Sequence, residues 1–460
     1  MSLRIQPLLQ KLTDCGPEAR FILEAIASGG SGSGGESECF RGKLLAKQLR
    51  MVEGAVIAAL GELVAAGVVE RLESAPAGKG RPTISYQIAP QSLAILGGRN
   101  IHMSPHAEHL KRLFSGADIP AEILGAQPKP QKERATLTKR GKRAPPGGRS
   151  RLSICNRLLL GALLANADQF GVVTGLGNLD LRRLTGLDSE SLKHRLKRLM
   201  GLGLIRSYVP GVSSVVFSAG KVSSSYFLNL NHPSFGVGGG CAVVIHVARD
   251  DQAKHIDHAE ILRRDTLAGE RSTDKKHFNT PAAVIRFLAG QEPAVFTVLQ
   301  LQLLHYASDL LARCWSGLGA EHGVDEAWLR DRIARDLRKP SRPDGDQGEA
   351  DGEWQVVISH FCRLVFEIAR DYRSRFGQAD WIGYDSGDVS ILPVLQDTGY
   401  WIITLLLRPP PVNLFECTVL LEERRGVVGT GPWRSEADMP LMKRIQCGLA
   451  TRPARRLLRG

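Results

Sequence analysis

The stretch SESLKHRLKRLMGLGLIRS, residues 189–207, decides the fold of this chain. Leu192, Leu196 and Leu199 recur at helical spacing and predict one apolar edge, while Gly203 is placed to end the helix. The remaining positions carry six cationic side chains, with the histidine counted among them. The pattern therefore predicts a helix with one apolar and one cationic edge, followed by a strand.

We predict that the cationic edge reads DNA. With the leucines on the buried edge and a turn of roughly 100° per residue, the opposite face carries five polar side chains: Glu190, Lys193, His194, Lys197 and Arg198. Cationic donors suit guanine edges and phosphates alike. Ser189 and Ser191 stand at the N-terminal end of the helix, where backbone amides and the helix dipole favour a phosphate.

The surrounding sequence predicts a three-helix unit with a two-stranded ribbon. NRLLLGALLANADQ (156–169) and LDLRRLTG (179–186) precede the opening stretch, and both have helical spacing. LIRSYV (204–209) and SSYFLNL (224–230) alternate as strands, and the loop between them holds Lys221.

An earlier part of the chain repeats this pattern. Residues 15–90 contain three helical and two strand-like stretches in the same order: FILEAIAS (21–28), RGKLLAKQLRM (41–51), GAVIAALGELVAAG (54–67), VVERLES (68–74) and TISYQI (83–88). A constant offset of 136 residues superimposes six positions: Met51 on Leu187, Val56 on Leu192, Leu60 on Leu196, Leu63 on Leu199, Gly67 on Gly203 and Val69 on Ile205. We interpret this agreement as an internal duplication of one architecture.

Both units resemble the winged helix-turn-helix superfamily of DNA-binding proteins. The resemblance covers roughly half of the chain and rests on five positions with their counterparts in the first unit: Leu192, Leu196, Leu199, Gly203 and Ile205. In that superfamily the third helix enters the major groove, and the ribbon touches the DNA backbone or the minor groove. The resemblance implies the same fold for both units and duplex DNA as the partner.

The first unit lacks the cationic helix face. The offset places five residues at the corresponding positions, and none has a cationic side chain or a side-chain donor: Gly54, Ile57, Ala58, Gly61 and Glu62. We therefore expect this unit to mediate protein contact, with self-association as one form of it. The alternative is that it contacts DNA by shape or through its loop, where Lys79 and Arg81 are placed to touch the backbone.

The excess positive charge of the chain is confined to its first half. Residues 1–240 carry 31 Lys and Arg against 17 Asp and Glu, whereas residues 241–460 carry 29 against 30. Nine of the cations fall in residues 126–151, together with one Glu and many Pro and Gly. We expect this segment to be a disordered linker that adds sequence-independent affinity for DNA, with Arg140 and Arg143 among its contacts.

The expected architecture is α+β and mainly α, in five parts: a first winged helix (15–90), a helical extension (91–125), the basic linker (126–151), a second winged helix (152–232) and a mostly helical C-terminal domain with a small sheet (241–460). Eight scattered cysteines without a C-x-x-C pair argue against a zinc site and a disulfide framework. The sequence also lacks a signal-peptide pattern and a clean membrane-length apolar segment, so we expect a cytoplasmic protein.

No stretch predicts a catalytic, metal or cofactor site. His255 and His258 stand one turn apart without an identifiable third ligand, and Asp380, Asp385 and Asp388 lack the glutamate of a calcium loop. Phosphate-loop, dinucleotide and nucleophile-elbow motifs are missing from the sequence. We therefore expect a protein that is not an enzyme and needs no cofactor.

Three functions fit these observations. The first is a transcriptional regulator that binds double-stranded DNA as a homo-oligomer. The second is a replication initiator of a plasmid or another mobile element, a class that also pairs two winged helices but usually ends soon after the second. The third is a nucleic-acid enzyme with an unrecognised active site after residue 241. We favour the first.

Overall fold

A computed structural model of the chain shows an α+β fold that is mainly α, as the sequence predicts. Two compact units make it up: Met1–Arg206 with Leu228–Gly239, and Ser207–Phe227 with Gly240–Arg452. The structure describes residues 3–29, 39–74, 82–97, 105–117, 119–120, 151–236, 240–248, 258–271, 279–319, 326–340, 347–377, 388–393, 401–408, 416–423, 426–433 and 436–450.

The first unit opens with a module of three helices and an antiparallel ribbon. Its elements are α1 (Pro17–Gly29), α2 (Gly42–Leu49), α3 (Glu53–Ala65), β1 (Val69–Ser74) and β2 (Thr83–Ile88). Helix α3 packs against both other helices because its apolar residues Val56, Leu60 and Leu63 lie at helical spacing and are fully buried. In the ribbon Val69 pairs with Ile88, and Ser74 pairs with Thr83.

A second module follows two helices that lie in the predicted extension, α4 (Pro90–Gly97) and α5 (Ala107–Phe114). Its elements are α6 (Ile154–Leu164), β3 (Val172–Val173), α7 (Asn178–Thr185), α8 (Ser189–Leu202), β4 (Ile205–Val209), β5 (Val212–Ser213), β6 (Lys221–Val222) and β7 (Ser225–Leu228). One sheet has the strand order β3-β7-β4, and β5 pairs with β6 as a separate short ribbon. Strands β3, β5 and β6 have only two residues each and were not predicted from the sequence.

The bounds of the elements repeat at the offset found in the sequence. Adding 136 to the bounds of α2 gives 178–185, the bounds of α7, and adding it to the first residues of α3 and β1 gives the first residues of α8 and β4. Two left-handed backbone positions also correspond: Arg50 with Gly186, at φ of 56° and 69°, and Gly67 with Gly203, at 65° and 82°. The two modules therefore share helix bounds and turns as well as apolar positions.

The two modules pack together through their first helices. Helices α1 and α6 contact each other, and both contact α5. The ring of Phe21 in α1 lies 5.5 Å from the ring of Phe114 in α5, and the guanidinium of Arg157 in α6 lies 5.0 Å from the centre of the Phe21 ring. Arg157 Nε also donates a hydrogen bond to the carbonyl oxygen of Leu113 at 2.7 Å. The helices α1, α5 and α6 thus pack together within the first compact unit.

The second unit is built on a five-stranded sheet with the order β12-β11-β8-β10-β9. Its strands are β8 (Ala242–Ala248), β9 (Asp388–Leu392), β10 (Trp401–Arg408), β11 (Cys417–Glu423) and β12 (Gly426–Trp433). Strands β8 and β11 are parallel and the other neighbours are antiparallel. The helices are α9 (His258–Arg271), α10 (Ala282–Leu288), α11 (Pro293–Cys314), α12 (Ala327–Asp336), α13 (Gln347–Gly377) and α14 (Leu441–Gln446).

The β5–β6 ribbon packs against residues 336–338 of the second unit. Val216 and Phe217, between the two strands, are buried. The Ser218 amide donates a hydrogen bond to the carbonyl oxygen of Asp336 at 2.9 Å, and the Arg338 amide donates one to the carbonyl oxygen of Val216 at 2.8 Å. The boundary between the compact units therefore falls inside the segment 152–232, which the sequence reading treated as one domain.

Within the described ranges, no helix combines the length and the apolar character that a membrane crossing requires.

Candidate nucleic-acid interface

Helix α8 exposes the cationic face that its sequence predicts. Lys193, His194, Lys197 and Arg198 are all exposed, and Leu192 and Leu199 on the other side are buried. Because residues three and four apart are neighbours on a helix surface, the four side chains form one continuous strip. We call these four residues the α8 strip.

Arg195 lies outside the α8 strip, although it is in the same cationic run. It is only partly exposed, and its Nη1 atom donates a hydrogen bond to the Ser153 hydroxyl at 3.2 Å. It also lies near Cys155, where burial and then the Glu18 carboxylate raise the pKa of the thiol to about 11 while Arg195 opposes them. Arg195 is therefore engaged between α6 and α8.

Asp188 caps the N-terminus of α8. Its Oδ1 atom accepts hydrogen bonds from the amides of Glu190 and Ser191 at 2.9 Å and 2.8 Å, and its Oδ2 atom accepts one from the Ser191 hydroxyl at 2.7 Å. These bonds, the Ser191 amide first, lower the pKa of the Asp188 carboxyl. A phosphate at this end of α8 would compete with the Asp188 carboxylate for the same two backbone amides. Phosphate binding by Ser189 and Ser191 remains a prediction, and the sequence reading missed the competing cap that an Asp before a helix signals.

The turn between α7 and α8 is held by residues of the first module. Gly186 ends α7 at a φ of 69°, and a Cβ atom there would lie 2.8 Å from Arg20 Nε and 2.9 Å from the carbonyl oxygen of Cys15. Arg20 is buried and donates to three carbonyl oxygens: Cys15 at 3.0 Å, Leu12 at 2.5 Å, and Arg183. Its burial lowers the pKa of the guanidinium. The position of α8 is thus fixed partly from the first module.

The corresponding face of α3 is exposed and carries no cation. Gly54, Ile57, Ala58 and Gly61 are all exposed, and a Cβ atom on either glycine would have no neighbour within 4 Å. Glu62 Oε2 accepts a hydrogen bond from the Gly16 amide at 2.7 Å, so its carboxylate serves the start of α1. Gly54, Ile57, Ala58 and Gly61 therefore offer apolar and backbone surface, and Glu62 adds the one charge of this face.

Two further groups of cations are exposed on the helices that precede α3 and α8. They are Lys43 and Lys47 on α2, and Arg182 and Arg183 on α7. A projection of the third helix of each unit does not include these residues, so they were not predicted as contacts. The alternation of apolar Leu45 and Leu49 with lysines was the signal in α2.

The other predicted contacts lie outside the described residues. These are Lys79, Arg81, Arg140 and Arg143, and the same holds for His255, Asp380 and Asp385. Among the residues that the structure does describe, no three His, Cys, Asp or Glu side chains are grouped so that they could hold a metal ion.

A scan against protein-family models, a search of curated proteins and a search of solved structures found no match for this chain.

Proposed function

We propose that the protein binds double-stranded DNA and that the α8 strip lies in the major groove. The observation that carries this proposal is the exposure of four cationic or imidazole side chains on one face of a helix whose opposite edge is buried. The resemblance of the two modules to winged helices adds a docking mode, because the second helix of a helix-turn-helix pair is the one that enters the groove.

The chemistry of the α8 strip suits both parts of such an interface. Lysine and arginine bind the O6 and N7 atoms of guanine, and they also neutralise phosphates. Lys197 and Arg198 lie near the middle of α8, and Lys193 lies one turn closer to its N-terminus. The excess positive charge in residues 1–240 favours approach to a polyanion.

We propose the transcriptional regulator as the cellular role, acting in the cytoplasm, where the eight cysteines, none of them in a disulfide, stay reduced. The replication initiator is the second candidate. The observation that favours it is the contact between the first helices of two similar modules whose exposed helix faces differ. A single operator near the gene's own promoter supports the regulator, and iterated sites that sustain replication of a plasmid carrying them support the initiator.

The first module takes a different part in this proposal. Its α3 face cannot read bases by side-chain hydrogen bonds, and its exposed Ile57, Gly54, Ala58 and Gly61 suit close packing against a protein surface. We assign this face to contact with a second copy of the chain. Sedimentation of wild type against Ile57→Asp tests the assignment, because an unchanged mass distribution would contradict it.

A binding assay with labelled duplex DNA tests the central proposal. We expect Lys197→Ala with Arg198→Ala to weaken binding about 10-fold or more, since a lost base contact costs about 1–3 kcal/mol. The matched variant is Ala58→Lys, at the corresponding turn of α3, which should leave binding in place. If wild type ignores duplex DNA at low ionic strength, or if the double variant binds as wild type does, the proposal is wrong.

A further inference from the structure

Helix α2 exposes a line of cations along one side. Lys43 and Lys47 are four residues apart, which places them on one face of the helix, and both are exposed. The other side of α2 is apolar and buried through Leu45 and Leu49. We call Lys43 and Lys47 the α2 stripe.

The two modules differ in the charge of the second helix of each pair. In the first module the cations lie on α2, and α3 exposes none. Between Arg41 and Glu53 there are four cations and one carboxylate. In the second module α8 exposes the α8 strip, and α7 also carries cations: Leu179 corresponds to Lys43, whereas the exposed Arg183 corresponds to Lys47. Both modules therefore expose two cations on the first helix of the pair, and only the second helices differ in charge.

The position of the α2 stripe suits the DNA backbone rather than the base edges. In a helix-turn-helix pair the first helix crosses the backbone while the second lies in the groove. Helix α2 has the place of this first helix, since its bounds coincide with those of α7 at the offset of 136 residues. Contacts to phosphates need only mobile cations and carry no sequence information.

Short links connect the helix pair of the first module to that of the second. Glu62 of α3 accepts the Gly16 amide, and the Cys15 thiol donates to the carbonyl oxygen of Glu62 at 3.8 Å. The neighbouring Arg20 donates to Arg183, in the last turn of α7. Cys15, Gly16 and the buried Arg20 thus connect the end of α3 to the last turn of α7, so the first module lies beside the helix pair that carries the α8 strip.

We infer that the α2 stripe binds phosphates of the same duplex that the α8 strip reads, so that the first module adds affinity without sequence preference. This inference rests on the proposed function. It assigns duplex DNA as a partner of the first module through α2, and it leaves the α3 face for protein contact.

The salt dependence of DNA binding tests the inference. The dissociation constant is measured for full-length protein on a 30-base-pair duplex, at several salt concentrations, for wild type and for Lys43→Gln with Lys47→Gln. Each phosphate contact contributes about 0.9 to the slope of log affinity against log salt, so two lost contacts lower the slope by about 2. The matched control is Lys111→Gln, an exposed lysine on α5, which removes a charge without touching α2.

The outcomes separate this inference from the proposed function. The inference is supported if the double variant lowers the salt slope by about 2 and loses the same affinity for a duplex selected for tight binding (the selected site) and for a duplex of random sequence. A double variant that binds with the wild-type slope overturns it and leaves the role of the α8 strip intact. A wild-type protein that binds no duplex overturns both. A loss confined to the selected site also overturns it, because a base contact and not a phosphate contact would then have been removed.

Discussion

The guanidinium of Arg20 donates a hydrogen bond to the carbonyl oxygen of Arg183, and through it a helix of the first module reaches the last turn of α7 in the second. The other two acceptors of Arg20 lie just before α1, at Leu12 and Cys15. A single buried cation therefore joins the segment before α1, helix α1 and the α7–α8 turn.

Replacing Arg20 should destabilise the first unit. Arg20→Met keeps much of the apolar volume but leaves three carbonyl oxygens without their donor, and we expect a loss of about 3 kcal/mol in the free energy of unfolding. Urea unfolding followed by circular dichroism measures it. Arg71→Met is the control, since Arg71 is exposed and its pairing with Glu73 is a surface ion pair. Equal losses in the two variants would contradict the role of Arg20.

Gly186→Ala should cost more than the same change at another left-handed glycine. Gly67 has a similar φ, and a Cβ atom there would meet nothing within 4 Å, so Gly67→Ala measures backbone strain alone, about 1 kcal/mol. At Gly186 the added methyl group also collides with Arg20 and Cys15. We expect a larger loss of thermal stability and weaker DNA binding for Gly186→Ala. Identical melting curves for the two variants would exclude the close approach.

The stability of the second unit should fall as the pH drops below about 6.5. Burial lowers the pKa of His246, His305 and His360 to about 4, so the unfolded chain takes up protons that the folded chain refuses. The free energy of unfolding is then highest above the ordinary histidine pKa of 6.5 and decreases toward pH 4, by about 1.4 kcal/mol per pH unit for each histidine.

Urea unfolding between pH 7.5 and 5 measures this slope before most carboxylates titrate. His305→Gln should reduce the slope by about one third, because it removes one of three similar groups. A variant with the wild-type slope would show that His305 does not contribute.

Asp188→Asn should keep the N-cap of α8 and remove its negative charge. Asparagine is as good an N-cap as aspartate, so the melting temperature should stay close to that of wild type, whereas Asp188→Ala should lower it. Loss of the negative charge beside the α8 strip should also strengthen binding of duplex DNA at low salt. Weaker binding by Asp188→Asn would instead mean that the carboxylate takes part in the interface.

Most helices of the chain could be predicted from the spacing of their apolar residues. Helix α8 and its exposed strip follow from Leu192 and Leu199, because one buried edge fixes which side chains face solvent. The strand β2 was predicted with its observed bounds, Thr83–Ile88, because its residues alternate. In both cases the spacing of neighbouring residues determines the element, and the tertiary contacts do not alter it.

The features that could not be predicted from the sequence depend on contacts with residues that are distant in the chain. Strand β8 has the burial of a central strand, with Ala242, Val243, Val244 and Ile245 all fully buried between β10 and β11, so it shows no alternation. Arg20 and Glu62 escaped as well, since their partners are backbone atoms that are distant in sequence or lie at a turn. No spacing rule relates Arg20 to Arg183, which are 163 residues apart.

Val216 and Phe217 are buried in the second compact unit, where their segment contacts residues 336–338. A recombination event that joined residues 1–236 to some other tail would leave two apolar side chains in water and two backbone partners, at Asp336 and Arg338, missing. We therefore expect the β5–β6 ribbon to keep its fold only in chains that also carry the residues covering it.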